Sequence, residues 1–309
     1  MPSTRDPWPV LILALSLVAG SLPAADLLRL ATYNLENYLE APVGTRPGKS
    51  DAAKAKIREG LRALNPDVVA LQEVGGLAAL QELRLSLKAE GLDYPHWELA
   101  TGFDTNIFVG VLSKFPFVAT RSHTNLSYLL GGSRLQVSRG FAEVELAVKG
   151  RYRFTLLSAH LKSRRPVPTA DEGEMRAEEA KLLREIVDAR LAAQPAANLV
   201  VLGDFNDTYG SPAVKILVGT GRNKLVDTRP AEANGDNQPN PVPRFNPRNI
   251  TWTHYYGKED SYSRIDFILL SPGMAREWVP QESRVLTLPN WGVGSDHRPL
   301  LVTLQAADK

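Results

Sequence analysis

Short apolar runs of strand length alternate along this chain with longer segments whose apolar residues recur every three or four positions. Leu27 to Tyr33 reads as a strand, and Ser50 to Leu64 places Ala53, Ile57, Leu61 and Leu64 on one helical face. Asp67 to Leu71 is a short apolar strand, and Leu77 to Glu90 returns to helical spacing. Three strands follow in succession, at Asn106 to Leu112, Gly140 to Val148 and Tyr152 to Leu161. In the second, Ala142, Val144, Leu146 and Val148 alternate with Glu143 and Glu145, the period of a half-buried strand. Lys149-Gly150 supplies a hairpin turn into the third. Asp171 to Ala193 predicts a long amphipathic helix, and Asn198 to Leu202, Arg264 to Leu270 and Leu300 to Leu304 predict late strands. Residues 229–249, with Pro230, Pro239, Pro241, Pro243 and Pro247, predict a long surface loop, either disordered or in contact with substrate. With no repeat and no dividing linker, the pattern predicts one α/β domain.

The N-terminus departs from this pattern. Arg5 precedes the apolar run Val10 to Ala19, and the small residues of Gly20 to Ala25 follow it. That run is half of the roughly 20 apolar residues that span a bilayer. Residues 1–25 therefore read as a secretory signal peptide, cleaved after Ala24 or Ala25, with residues 26–309 as the mature domain. Asp6 beside Arg5, and Leu22 or Pro23 at the −3 position, depart from the usual pattern, and a retained membrane anchor is the alternative. The expected location is secreted or periplasmic. No other run is long enough to span a membrane.

Composition narrows the class. With 309 residues, 43% hydrophobic and 23% charged, the chain is neither disordered, collagenous nor coiled-coil. The absence of cysteine excludes disulfide scaffolds, thiolate zinc sites and cysteine nucleophiles. A net charge of +2 is too balanced to diagnose a nucleic-acid binder, and it survives signal removal because one Arg and one Asp leave together.

The candidate chemistry sits where strands end. Carboxylates, amides or imidazoles cluster in Tyr33-Asn34-Leu35-Glu36, Gln72-Glu73, Ser158-Ala-His160, Gly203-Asp204-Phe205-Asn206, Arg264-Ile-Asp266 and Ser295-Asp296-His297. Functional groups gather where strands run out into loops. Each segment alone has an ordinary structural explanation, such as a turn or a cap. Together, and in this order, they resemble the endonuclease/exonuclease/phosphatase superfamily, from about Leu27 to Leu304. The resemblance implies a four-layer α/β/β/α sandwich of the deoxyribonuclease I type, with two mixed sheets packed face to face.

It also implies metal-assisted hydrolysis of a phosphoester. Such cleavage needs a cation on the phosphate oxygens, an activated water and help for the leaving group. Asn34 and Glu73 are the expected ligands, with Asp296 as a further one and Glu36 as a contributor. Oxygen ligands suit Mg²⁺, with Mn²⁺ or Ca²⁺ as alternatives. His297 and Asp204 share the expectation of general base, and Asp266 would orient His297. Asn206 would donate to a phosphate oxygen. His160 matches a second histidine that serves as acid or phosphate ligand, although Asn106 stands where relatives often have a carboxylate to orient it. Arg139 is the expected phosphate contact.

For the substrate, nucleic acid leads, DNA above RNA. Lys162, Arg164 and Arg165 could meet flanking phosphates, and Trp252, Tyr255 and Tyr256 with Lys258 could stack on bases. A lipid phosphodiesterase of the sphingomyelinase type would be expected to carry an exposed apolar hairpin, and none is evident in the sequence. A phosphomonoesterase is the other alternative, although the inositol-phosphate branch would carry a cysteine before the late strand, where this chain has Ser261-Tyr-Ser-Arg-Ile-Asp266. A non-catalytic binding module is the remote one. A monomer is expected.

Overall fold

The computed structural model of the chain describes residues 27–148, 150, 152–232 and 250–307. The expected signal peptide and most of the proline-rich loop lie outside the described residues. The first half contains β1 (Leu27–Tyr38), α1 (Asp51–Leu64), β2 (Val68–Val74), α2 (Leu77–Ala89), β3 (His96–Ala100), β4 (Phe108–Ser113), β5 (Phe117–Thr120), β6 (Ser127–Leu130), β7 (Ser133–Gln136) and β8 (Ala142–Ala147). The second half contains β9 (Arg153–His160), α3 (Glu172–Ala193), β10 (Leu199–Asp204), α4 (Pro212–Val218), β11 (Val226–Asp227), β12 (His254–Tyr256), β13 (Ser261–Ser263), β14 (Asp266–Leu270), β15 (Arg284–Val285) and β16 (Leu300–Gln305).

Two six-stranded mixed sheets form the body, in the orders β15-β16-β1-β2-β4-β3 and β11-β14-β10-β9-β8-β5. Between them lies an apolar layer that joins Leu28, Leu30, Val68 and Ala70 to Phe154, Leu156, Val200 and Leu202. On the outer face of the first sheet, Ala31, Tyr33 and Leu71 pack against Ile57 and Leu61 of α1 and Leu80 and Leu83 of α2. On the outer face of the second, Leu157, Ala159 and Val201 pack against Leu183 and Val187 of α3 and Val214 and Leu217 of α4. The result is the expected α/β/β/α sandwich. Central strands with both faces covered read as unbroken apolar runs, which is why β2 and β10 stand out in the sequence.

Local signals set the helix starts. Ser50 caps α1 by accepting from the Ala53 N–H, and Asp171 caps α3 by accepting from Glu174. Beyond the expected elements, the structure adds β3, β5, β11, β15, α4 and two hairpins, β6–β7 and β12–β13. These are short, and too few residues repeat in each to show a period. For α4, Ser211 as cap and Pro212 in the first turn were the available signal.

One geometric rule carries the fold into the site. Successive inward positions on each central strand run from apolar to polar toward one end. They read Leu28, Leu30, Thr32, Asn34 on β1, Ala70, Gln72 on β2, Leu156, Ser158, His160 on β9 and Leu202, Asp204 on β10. Gln72 bridges the sheets there, donating to Thr32 Oγ1 at 3.0 Å and reaching Ser158 Oγ at 3.4 Å. The apolar layer is thereby closed and the polar site begins on top of it.

Candidate active site

Register places the central groups. Asp204, the last residue of β10, pairs with His160 of β9 on one side and with Asp266 of β14 on the other. The strand reaches that pairing through Gly203, whose φ is +138° and where an added Cβ would collide with the Ala159 carbonyl oxygen. Asp204 accepts from Asn34 Nδ2 at 2.9 Å and from the Asn206 N–H at 2.8 Å. Burial and the nearby Asp266 push its carboxyl above the usual range, against the opposing pull of His297.

Asp266 holds the other partner. Its Oδ2 lies 2.8 Å from His297 Nδ1, and Thr253 Oγ1 accepts from its backbone N–H at 3.2 Å. Burial works against a charged His297, but Asp266, Asp204 and Asp296 outweigh it and raise the imidazole well above its ordinary value. His297 Nε2 stands 3.8 Å from both Asp204 and Asp296, too far for a direct hydrogen bond. Ser295 ties this loop to β1, donating to the Asn34 carbonyl at 2.8 Å and accepting the His297 N–H at 3.0 Å.

His160 has the opposite character. Burial, and then Arg139, His297 and Arg46, drive its pKa well below the ordinary value, so this imidazole is neutral. Its Nε2 lies 3.5 Å from Asp204 and 3.9 Å from Glu73. No carboxylate orients His160 from the position of Asn106, and its Nδ1 has no hydrogen-bond partner among the described residues; the nearby Asp104 serves other groups. It faces Arg46 at 3.7 Å and Arg139 at 3.8 Å, and Asn106 donates its backbone N–H to it.

A second cluster carries excess negative charge. Glu73 adopts φ +62° at a bulge in β2, and Glu36 and Asn37 adopt +48° and +54° at the end of β1. Non-glycine residues rarely occupy this region, and such strain concentrates at functional sites. The turn lets the Asn37 N–H donate to Glu73 at 2.8 Å, while Asn34 Nδ2 lies 3.5 Å from the same carboxylate. Burial raises the Glu36 pKa, Asp296 and Glu73 add to it, and Lys49 at 3.3 Å opposes. Lys49 faces Glu36, and His254 and His297 face Asp296, which leaves Glu73 without a charged counterpart among the described residues. Hard oxygen donors with surplus charge fit a divalent cation. Buried polar atoms without a hydrogen bond also collect here, at Asn37 Oδ1, Arg139 Nε, His160 Nδ1 and Asp266 Oδ1. Such atoms mark sites completed by an ion, a water or a ligand.

The structure thus brings Asn34, Glu73, His160, Asp204, Asp266, Asp296 and His297 to one end of the sandwich. Arg139 is buried beneath them, 3.4 Å from the Leu161 carbonyl. Asn206, at φ +53°, turns its amide to the same carbonyl at 3.0 Å. Lys162 is not a free phosphate contact: its ammonium is spent on the carbonyls of Ser163 and Arg165, and the residue is buried. Arg164 is partly engaged with Asp207 at 3.3 Å, and Arg165 is exposed. Trp252 is a packing residue rather than a stacking platform. The Arg298 guanidinium lies 3.3 Å from its ring centre, and Tyr262 and Trp291 close over it. Sequence reasoning missed Thr253 and His254, single polar residues without a spacing signal, and named Ser295 only as part of its cluster, with no role of its own. A cavity of about 560 Å³ lies at the opposite end of the sheets, among Arg153, Thr155, Asn198 and Gly273, and holds none of these groups.

Comparison with known proteins agrees with this architecture. The catalytic domain of human nocturnin, solved with bound sulfate, superposes with a TM-score of 0.63 at 18% identity, covering 90% of this chain and 93% of that one. Sphingomyelinase C from Streptomyces griseocarneus gives 0.58 at 20% identity, covering 90% and 99%. Truncated Caenorhabditis elegans TDP2 gives 0.57 at 18%, covering 90% and 97%. No curated protein sequence matches the chain. The sequence model of the Endonuclease/Exonuclease/phosphatase family matches residues 31–297, a span that contains every group of the site. The chain therefore belongs to the endonuclease/exonuclease/phosphatase family of metal-dependent phosphoester hydrolases.

Proposed function

We propose that the chain is an exported phosphodiesterase that uses Mg²⁺ and hydrolyses nucleic acid, with DNA as the preferred substrate. The observation that carries the substrate is an exposed tyrosine rim. Tyr209 is 52% exposed on the loop that follows Asp204, and Tyr262, 56% exposed, stands with Tyr256 on the β12–β13 hairpin. That hairpin is bonded to the catalytic loop through the Tyr255 N–H and the Asp296 carbonyl. Exposed aromatic rings beside a phosphoester site suit the stacking of bases. Lys258 on the hairpin turn and Arg165 on the loop after β9 add exposed positive charge.

Glu73, with Glu36 and Asp296 beside it, would hold the cation, which supplies polarisation of the phosphate when bound. Asp204 is the group placed to take a proton from the attacking water. The Asp266-held His297, whose pKa is raised, stands beside it as the group placed to give a proton up. Neutral His160 faces the same space and can donate a hydrogen bond from Nε2 to a phosphate oxygen.

The lipid reading has one observation of its own. The β6–β7 hairpin, absent from the sequence-based expectations, exposes Leu129 by 64%. Tyr128 is buried, and Leu130 and Leu135 pack on the domain. One leucine is worth about 1.5–3 kcal/mol on full burial, and stable membrane attachment needs more than one such anchor. Nucleic acid therefore leads.

The deciding experiment gives purified residues 26–309 plasmid DNA, RNA, sphingomyelin vesicles and a phosphomonoester in Mg²⁺, Mn²⁺, Ca²⁺ or EDTA. Mg²⁺-dependent cleavage of DNA is expected. Turnover of sphingomyelin with DNA left intact would refute the substrate assignment.

A further inference from the structure

Beside the all-oxygen cluster at Glu73 lies a group of different chemistry. His254, Asp296 and His297 each offer one ligand atom, and those atoms lie within 4.8 Å of one another. His254 Nε2 is 3.5 Å from Asp296 Oδ2, and His297 Nε2 is 3.8 Å from Asp296 Oδ1. The two imidazole rings are 4.6 Å apart between centres. Two ligands about 2.0–2.1 Å from one tetrahedral ion sit about 3.3 Å apart. Small rotations of the partly exposed His254 and Asp296 side chains close the remaining difference.

We propose that these three residues form a binding site for a borderline-soft transition-metal ion of the Zn²⁺ type, which shares Asp296 with the Glu73 centre but does not need Glu73, and that its occupation silences the enzyme. Three observations carry the site. The donor set is two imidazoles and one carboxylate, which selects such ions over Mg²⁺, whose preference is oxygen. His297 is already oriented as a ligand, because Asp266 at 2.8 Å occupies its Nδ1 and leaves Nε2 to bind a metal in exchange for its proton. A carboxylate behind a histidine is the usual outer support of a bound zinc. Finally, the backbone fixes His254 against the loop. Residues 254 and 297 form an antiparallel bridge, the Tyr255 N–H donates to the Asp296 carbonyl at 3.0 Å, and the Arg298 N–H donates to the Thr253 carbonyl at 2.6 Å. Occupation withdraws His297 Nε2 from proton transfer. That inhibitory half rests on the role given to His297 under Proposed function, whereas the binding half does not.

The test is Zn²⁺ titration of residues 26–309 in saturating Mg²⁺, read by competition with a chromophoric chelator, for the wild type, His254→Gln, Asp296→Asn and Glu73→Gln. Thermal melting verifies that each variant is folded. One tight Zn²⁺ per chain is expected in the wild type and in Glu73→Gln. His254→Gln should weaken it by more than the about 10–100-fold that loss of an outer partner costs, and Asp296→Asn should do likewise. The Zn²⁺ concentration that halves DNA cleavage should rise in parallel in His254→Gln, measured against that variant's own Mg²⁺-supported rate. Unchanged affinity in His254→Gln, loss of Zn²⁺ in Glu73→Gln, or no binding below millimolar Zn²⁺ would overturn the site. Tight, His254-dependent binding to an enzyme that stays active would overturn the inhibition alone. The same binding to a chain that cleaves no nucleic acid would leave the site standing and refute the proposed function.

Discussion

Asp266 Oδ2 and His297 Nδ1 meet at 2.8 Å, although 31 residues separate them in sequence. The contact joins the first residue of β14 to the loop that precedes β16, so it couples the second sheet to the first. It fixes the imidazole tautomer, leaving Nε2 directed toward Asp204 and Asp296.

Replacing Asp266 with Asn preserves the shape but favours the wrong tautomer. Asp266→Asn should lower kcat by about 10²–10⁴-fold, the usual worth of a positioned acid–base group. KM should change far less. Steady-state kinetics on DNA in Mg²⁺ checks this, and an unchanged kcat would remove Asp266 from the mechanism.

Glu73 can be separated from that pair by the metal it serves. Glu73→Gln keeps the hydrogen-bonding shape and removes one charge of the Glu36–Glu73–Asp296 cluster. The Mg²⁺ concentration for half-maximal activity should rise markedly, and excess Mg²⁺ should restore part of the rate. A variant with normal Mg²⁺ dependence would place the cation elsewhere.

The tyrosine rim predicts a substrate-size effect. Tyr256→Ala with Tyr262→Ala should cost about 1–3 kcal/mol of binding per stacked base, seen as a higher KM for DNA. Hydrolysis of a small chromogenic phosphodiester should be nearly unaffected. Equal losses on both substrates would count against stacking.

Gly203 is a structural requirement of the site. With φ at +138° and the Ala159 carbonyl in the way, Gly203→Ala forces a backbone shift at the strand that bears Asp204. A loss of at least about 2 kcal/mol is expected from strain and overpacking combined. Denaturant unfolding measures it, and a loss below half of that value would show that β10 can adjust.

Glu143 gives a pH dependence remote from the site. Burial pushes its carboxyl up, but His123 at 2.8 Å, Arg190 at 2.6 Å and Arg121 at 3.4 Å outweigh it and hold the pKa below its ordinary value. A carboxylate lowered on folding contributes stability that is present above its unfolded pKa and is lost as pH falls through the folded one. Glu143→Gln should therefore cost about 1.5–3 kcal/mol at neutral pH. The gap to the wild type should close below about pH 4, near the unfolded value. A gap independent of pH would mean that packing, not charge, was lost.

The sequence by itself determined the order of the long strands and helices and the identity of the strand-end groups. Those features depend on neighbouring residues. A period of two or 3.6 is written within one element, and a strand whose inward positions change from Leu30 to Thr32 to Asn34 announces its polar end locally. An oxygen-liganded metal centre was also expected from the sequence, because a chain without cysteine has no thiolate to offer. The tertiary structure alone decided which ends meet. Asn34 reaches Asp204 across 170 residues because two sheets stack in one register, and that stacking depends on side-chain fit between layers that no local pattern records. The same packing turned Lys162 into a loop clamp, placed Trp252 under Arg298 and set His254 beside Asp296. Each of these side chains is polar or amphipathic, and its partner was chosen by the fold rather than by its neighbours in sequence.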